Sequence, residues 1–510
     1  MIAPFVKRKD EDPPVIVIDP SGQAVIPILS GHVGGANDLS VRLASYLGAR
    51  AVLTTATDCL HAFAADNFAK DHHMAVSDAG KAKEISAKAV AGETIRIFAD
   101  PGEEFPDDPS VIRVPDPGNA DVVISIRSRK TRALQLFPRR VIAGIGCRKG
   151  EGKEEIIKAL EAVLARAGIA LPSVCAIASI DLKKDEEGLR GAASDLRVPF
   201  VTFSGESLSL VDGSSASSDF VQKVTGVDNV CERACLSMGF PLLVPKEVFS
   251  HVTVAAARSF AKILLFGGTT EGHELARYFE KRKIPALVLV ATPEGKVVLK
   301  DLRGCRVLTG RLTEDEMEAI FTALRPRLVI DATHPYAALV SANIKVAARR
   351  CGIRTVRVMR EKTEKIPGAA YFESAADAAA FLSRTAGNIL LTTGSKDLSF
   401  YAGIRDHRDR VYARVLPCSR DAAMAAGLPE SHVLSGDGPF FVEDNIAAIR
   451  DTDAAFLVTK DSGEAGGLLQ KVQAAERTGA ALLIIERPAE DTKGERVMSL
   501  KDCEEMFDAW

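Results

Sequence analysis

The stretch ILLFGGTTEGHELARYF, Ile263 to Phe279, decides the fold. An apolar strand, Ile263 to Phe266, ends in Gly267-Gly268-Thr269-Thr270-Glu271-Gly272, and a helix follows. Glycine lets the backbone turn tightly and lets a ligand approach the amides. The helix start then offers free N–H groups and partial positive charge to an anion. The spacing is not GxGxxG, and a strand-to-helix turn also uses glycine for structure alone, so both readings stand. The next strand, ALVLVATPEG, ends on Thr292 rather than an acidic residue, so ribose recognition of the usual NAD type is not indicated.

The same alternation runs through all 510 residues. VIVID (15–19) and AVIPIL (24–29) read as strands joined by the turn Asp19-Pro20-Ser21-Gly22. AVLTTA, DVVISI, VIAGIGC, VCAIASI and VPFVTF follow, then RLVIDAT, NILLTTG, AAFLVTK and ALLIIER, with helical stretches between. DLSVRLASYLG reads as an amphipathic helix on Leu39, Leu43 and Leu47. The expected fold class is α/β: several Rossmann-like, doubly wound parallel-sheet lobes. Residues 207–219, rich in Ser, Asp and Gly, read as a mobile loop. The clearest boundary falls at PKEVFSHVTVAAARSFA, read as a linker over 246–261.

A charge of −3 from 65 basic and 68 acidic residues carries no basic excess, so no nucleic-acid partner is expected. No apolar run reaches the ~20 residues of a bilayer span, and no leader is visible, so a cytoplasmic protein without membrane contact is expected. Nine cysteines stand singly with no CxxC pair, which argues against structural zinc; no metal is expected.

In parallel sheets ligands bind beyond the carboxyl ends of the strands. There the chain places IDATHPYA (330–337), LLTTGSKDL (390–398), SGDGPF (435–440) and LVTKDSGEAGG (457–467). Arg311, Arg360, Lys396, Arg414 and Lys460 give that edge cations for an anionic ligand. His334 and Tyr336 stand where a proton donor can stand, although His334 also reads as a capping or core histidine.

Residues 262–510 resemble the precorrin-6A reductase family (CbiJ/CobK). The resemblance is carried by ILLFGGTTEG, TGRL (309–312), IDATHPYA, TTGSKDL, GPF with Glu443 and Asn445, and VTKDSGEAGG. It implies reduction of one double bond of a corrin-type macrocycle by NADPH or NADH, in a cleft between two Rossmann-like lobes, here 262–385 and 386–510. Cofactor contacts are then expected at Gly267, Gly268, Thr269, Thr270, Gly272, Thr392, Thr393, Gly394 and Ser395. Arg311, Thr333, Lys460, Asp461 and Ser462 are expected to meet substrate, and His334, Tyr336 and Lys396 to serve catalysis.

Residues 14–240 resemble the cobalt-precorrin-5A hydrolase family (CbiG), through SGHVGGANDLSVRLASYLGARAVLTTATD (30–58), VIAGIGCRKG, AIASIDLKKDEEGL and VTGVDNVCERAC. The resemblance implies opening of a lactone on the macrocycle with release of acetaldehyde and no redox cofactor. It divides this half into a central α/β domain, 1–135, and a carboxy-terminal one, 139–245. The family carries a further lobe before VIVID, of which MIAPFVKRKDEDPP resembles only the tail. His32 is the expected base, since imidazole titrates near neutral pH, with Asp58 orienting it. Ser30, Gly34, Gly35 and Asn37 are expected to hold substrate. The alternatives are a helix cap at Asn37 or Asp38, a turn-fixing His32, and a helix-start pair of Asp58 and His61. Cys147 reads as packing rather than as a nucleophile, and Lys183 as part of a solvated turn or a carboxylate contact.

The expected whole is a bifunctional fusion acting on cobalt-precorrin tetrapyrroles, with transient contact to other corrin-pathway enzymes. The alternative is a reductase only, its amino-terminal half a non-catalytic tetrapyrrole-binding module.

Overall fold

The computed structural model describes residues 12–31, 35–53, 62–211, 229–259, 262–299, 301–334, 337–359, 365–436, 438–461, 467–486 and 496–508. The chain forms two compact units. One comprises Met1–Leu264, Lys283–Arg327 and Ala347–Ile353; the other comprises Leu265–Arg282, Leu328–Val346 and Arg354–Trp510.

The chain opens on a hairpin of β1 (Val15–Ile18) and β2 (Ala24–Leu29), with β3 (Arg50–Ala51) parallel to β2. The expected turn forms because Asp19 accepts from the amides of Ser21 (3.1 Å) and Ala24 (2.5 Å). These bonds, led by the Ser21 hydroxyl, hold the Asp19 carboxyl below its ordinary range. The expected helix is present over Ala36–Leu47, but on a different face. It buries Ala36, Asn37, Ser40 and Ala44 while Leu39 and Leu47 are exposed. The small residues form the packed side because they allow close approach to β2.

Next come β4 (Met74–Val76), β5 (Ile95–Ala99), β6 (Val111–Arg113), β7 (Val122–Ile124) and β8 (Leu134–Pro138), in the order β4-β8-β7-β5-β6 with only β4 antiparallel. A third sheet holds β9 (Val141–Cys147), β10 (Val174–Ile180), β11 (Phe200–Phe203), β12 (Gly239–Phe249) and β13 (Val252–Ser259), in the order β11-β10-β9-β13-β12. The segment expected as a linker, 246–261, is therefore largely strand. β12 and β13 form an antiparallel hairpin on β9, and Ala255, Ala256 and Ala257 have no exposed surface. Alanine is a poor strand signal, yet small side chains are what this crowded sheet accepts. Under it, the helix Val230–Met238 runs so close to β9 that a Cβ on Gly144 would lie 1.8 Å from the Cys231 carbonyl oxygen.

The remaining strands are β14 (Ile263–Phe266), β15 (Ala286–Val290), β16 (Cys305–Thr309), β17 (Leu328–Asp331), β18 (Thr355–Val358), β19 (Ala370–Phe372), β20 (Asn388–Leu391), β21 (Val411–Val415), β22 (Val433–Ser435), β23 (Ala454–Lys460), β24 (Ala481–Ile485) and β25 (Arg496–Met498). They form two six-stranded sheets, β16-β15-β14-β17-β18-β25 and β19-β24-β23-β20-β21-β22. The second is parallel throughout. Strand order reverses between β14 and β17 in one and between β20 and β23 in the other. Each reversal opens a crevice at the strands' carboxyl ends.

Membership crosses the expected division at 385. β19 pairs with β24 in the second sheet, whereas β25 returns to pair in parallel with β18. The helix after it, Leu500–Asp508, stacks Phe507 edge-on against Phe279 with ring centroids 5.0 Å apart, and Tyr278 and Arg282 both bond Asp508. Among the described residues no helix is long and apolar enough to cross a membrane.

Candidate functional site

At the β14/β17 reversal, Thr269 ties the two loops. Its hydroxyl donates to the Ala332 carbonyl (2.9 Å) and accepts from the Gly272 amide (3.1 Å). Gly272 lets the helix Thr270–Arg282 sit against the turn, since a Cβ there would lie 2.9 Å from Gly267 Cα. Gly268 has φ +119°, a conformation that L side chains rarely adopt, and nothing lies within 4 Å of its missing Cβ. Gly267 is buried, Thr269 half-buried, and Gly268 and Thr270 exposed at the helix start. The result is bare backbone beside a helix N-terminus, as a phosphate requires.

Across the reversal, Asp331 is buried and accepts from the Thr333 amide (3.0 Å), the Thr333 hydroxyl (2.7 Å) and Arg357 (2.6 Å). Arg357 also donates to the Asp331 carbonyl (3.3 Å) and Thr333 Oγ1 (3.1 Å). This buried ion pair fixes the turn that carries His334, which is exposed and whose carbonyl accepts from Ala337 N (2.8 Å). The sequence reading passed over His273, in the first turn of the Thr270–Arg282 helix. Its Nε2 is buried without a hydrogen-bond partner, and burial, then Arg277, lowers its pKa. A histidine directly after the Gly267–Gly272 turn was the signal.

At the β20/β23 reversal, Thr392 bonds the Val458 carbonyl through both its amide and its hydroxyl (2.9 Å each). Lys460 reaches across to Asp397 (2.6 Å). The Thr393 hydroxyl is buried without a partner, Gly394 has φ +81°, Ser395 is half-buried, and Lys396 is exposed. The Asp461 amide donates to Ile485 (2.9 Å). In the other unit, Arg311 is exposed just before the helix Glu314–Leu324.

In the amino-terminal half the loop at 30–37 folds back on the helix it precedes. Ser30, at φ +58°, donates to the Asp12 carbonyl (2.8 Å), and Asn37 N bonds Gly31 O (3.0 Å). The Asn37 side chain covers Gly31, where a Cβ would meet its Oδ1 at 2.8 Å. The N-cap is Gly35 at φ +81°, without a side-chain cap bond, so neither Asn37 nor Asp38 serves as the cap. His32, Gly34, Asp58, His61, Tyr336, Arg360 and Ser462 lie outside the described residues.

In the third sheet, Lys183 pairs with Glu186 (2.8 Å), which also accepts from the Gly150 amide (2.5 Å). This joins the loops after β9 and β10. Burial raises the Cys147 thiol to about 11 despite Lys183. At pH 8 its thiolate is then about one part in a thousand. Cys147→Ala should therefore keep whatever turnover the amino-terminal half supports within about twofold, measured as product formation by the full chain; a loss beyond tenfold would restore Cys147 as a nucleophile. Among the described residues no group of three His, Cys, Asp or Glu side chains is placed to hold a metal ion.

Three family models match the chain: "Precorrin-6x reductase CbiJ/CobK" over 262–509, "Cobalamin synthesis G C-terminus" over 141–257, and "Cobalamin synthesis G N-terminal" over 1–58. The cobalt-precorrin-5A hydrolase of Priestia megaterium is 33% identical across 50% of this chain and 74% of its own length. The cobalt-precorrin-6A reductase of Salmonella typhimurium is 34% identical across 46% of this chain and 91% of its own. Among solved structures, one described as CobK precorrin-6A reductase covers 49% of this chain and 97% of its own, at 22% identity and a TM-score of 0.41.

Proposed function

Because the chain belongs to both the cobalt-precorrin-5A hydrolase family and the cobalt-precorrin-6A reductase family, we propose that it is a bifunctional enzyme of cobalamin biosynthesis. The amino-terminal half opens the lactone of cobalt-precorrin-5A and releases acetaldehyde. The carboxy-terminal half reduces cobalt-precorrin-6A with NADPH or NADH. The observation that carries this reading is that two different relatives each match most of their own length on adjoining halves of one chain. The cytoplasm is the compartment we assign, with cobalt-precorrins as the ligands.

The β14/β17 crevice fits a dinucleotide on its own evidence. The turn at Gly267 and Gly268 is bare of side chains, the helix start faces it, and Gly272 holds helix and turn together. Gly267, Gly268, Thr269 and Thr270 would hold the pyrophosphate through backbone amides and the exposed Thr270 hydroxyl. When bound, the nicotinamide supplies a hydride. The chain's own part is to orient and to exclude water: the Asp331–Arg357–Thr333 bonds fix one wall, and Thr269 joins it to the other. His334 and Tyr336 are assigned as proton donors and Lys396 as a catalytic cation. Thr392, Thr393, Gly394 and Ser395, at the second crevice, are assigned to the cofactor, and Lys460, Asp461 and Ser462 to the substrate, Lys460 as the cation for a carboxylate. In the hydrolase half, His32 is assigned as base with Asp58 orienting it, and Ser30, Gly34, Gly35 and Asn37 as substrate contacts.

Two assays of the purified full chain test the reading. Cobalt-precorrin-5A should yield one equivalent of acetaldehyde, and cobalt-precorrin-6A should drive stoichiometric nicotinamide oxidation. A folded chain without the first refutes the hydrolase; one without the second refutes the reductase. Gly268→Val should weaken NADPH binding about tenfold or more, because a side chain at φ +119° strains the turn that approaches the phosphate. An unchanged dissociation constant by fluorescence titration would remove phosphate from this turn.

A further inference from the structure

We propose that Arg414 and Lys471, brought to one face of the second sheet's carboxyl edge with Asn445 and Thr459, form an oxyanion-binding subsite of the reductase half. It takes either a carboxylate of the tetrapyrrole or a phosphate of the dinucleotide. The inference rests on the reductase reading above and names a subsite within it.

The strand register builds the site. Leu391 lies opposite both Ala413 and Val458, so Arg414, Thr392 and Thr459 follow abreast, one residue further along β21, β20 and β23. Residues abreast in parallel strands share a face. Two helices cover that face: Val442–Asp451 brings Asn445, and Leu468–Thr478 brings Lys471. Arg414 is buried, with 8% of its surface exposed. One of its amino groups donates to Asn445 Oδ1 (2.7 Å), and its guanidinium lies 3.9 Å over the Phe440 ring centroid. Asn445 is held in that orientation because its Nδ2 donates to the Phe441 carbonyl (2.7 Å). Among the described residues Arg414 forms no ion pair within 4.0 Å; an amide oxygen and an aromatic face are its recorded partners. Lys471 donates to Thr459 Oγ1 (3.1 Å), on a residue with no exposed surface.

A guanidinium buried without a carboxylate, close enough to Lys471 for its charge to act on that lysine, is costly in a fold that uses it only for packing. The cost shows in both groups. Burial lowers Arg414 to about 10, with Asp444 opposing. Burial, then Arg414, lowers Lys471 to about 8. An arriving oxyanion offsets both effects, and the planar fork of Arg414 suits its two oxygens.

The test uses the full chain with Arg414→Gln and Lys471→Gln, each checked by thermal unfolding. NADPH alone is titrated by fluorescence, and cobalt-precorrin-6A turnover is followed at saturating NADPH. A rise of about tenfold or more in the NADPH dissociation constant assigns the subsite to phosphate. The same rise in KM for the tetrapyrrole, with NADPH binding intact, assigns it to a substrate carboxylate; Lys471→Arg should restore most of either loss. Both affinities within twofold of wild type overturn the proposal. Should Arg414→Gln fail to fold, Lys471→Gln, on the half-exposed side of the pair, reads the same subsite and decides alone. A wild-type chain that oxidises no NADPH refutes the reductase reading instead, which keeps the two failures apart.

Discussion

Arg357→Met is expected to lower the stability of the unit that contains it by about 3–5 kcal/mol, the range seen when one partner of a buried ion pair is removed. Both partners are nearly sealed: the Arg357 and Asp331 side chains are 2% and 6% exposed, with 2.6 Å between Nη1 and Oδ1. Methionine fills much of the volume but leaves the Asp331 carboxylate in a poorly solvated site where, among the described residues, only the Thr333 amide and hydroxyl remain as donors. The turn that positions Thr333 and His334 then loses its anchor, so nicotinamide oxidation should fall with stability. Chemical denaturation of the full chain, followed by probes of each unit, reads the first effect. Asp331→Leu combined with Arg357→Met should cost less than Arg357→Met alone, because no charge is then stranded. A single variant within about 1 kcal/mol of wild type, or a double variant worse than the single, would show that the pair does not hold this turn.

The second large effect is expected at Gly144, in the middle of β9. Its missing Cβ would lie 1.8 Å from the Cys231 oxygen, 2.8 Å from the Cys231 carbon and 3.1 Å from Cys235 Cβ. The first two are backbone atoms, so no rotamer change relieves the clash. Either β9 or the Val230–Met238 helix must move, and both are set in a core where Ala143, Ile145, Ala234 and Cys235 have no exposed surface. Overpacking a well-filled core costs about 1–3 kcal/mol when side chains can adjust, and more when they cannot. Gly144→Ala should thus cost about 3 kcal/mol or more and abolish acetaldehyde release at 37 °C. Gly403→Ala, a substitution into open space, is the control and should be nearly silent. A Gly144→Ala chain with the wild-type unfolding midpoint would mean that the helix does not pack on β9 this closely.

Local sequence carried the strands and the turns after them because each is encoded in a few adjacent residues. The Gly267–Gly272 turn, the Asp19–Gly22 turn and the TTGSKD loop all stand where the residues indicate. Readings that depend on a distant partner fared differently. The leucines of Ala36–Leu47 gave the helix but not its face, since Ala36, Ser40 and Ala44 are chosen by how near β2 must lie. The Ala255–Ala257 run looked like a joint because nothing local says that β9 will pair with it. β19 and β25 each stand on the far side of a plausible boundary, and only the pairing reveals it. Lys471 sits within the helix Leu468–Thr478 and not in a loop after a strand, where ligand contacts in a parallel sheet are expected. The available sign was a lysine on the Leu468, Val472 and Ala475 side of an otherwise apolar helix face.

The return of β25 to β18 has a consequence for how the polypeptide emerges from the ribosome. Every residue of the second sheet is translated before β25 exists, so the earlier sheet must wait with the β18 edge uncovered while its neighbour is made. Nascent domains generally mature from the amino terminus onward; here the lobe that begins first is sealed last, and its open rim is the place where a holdase or a stray strand meets the unfinished protein.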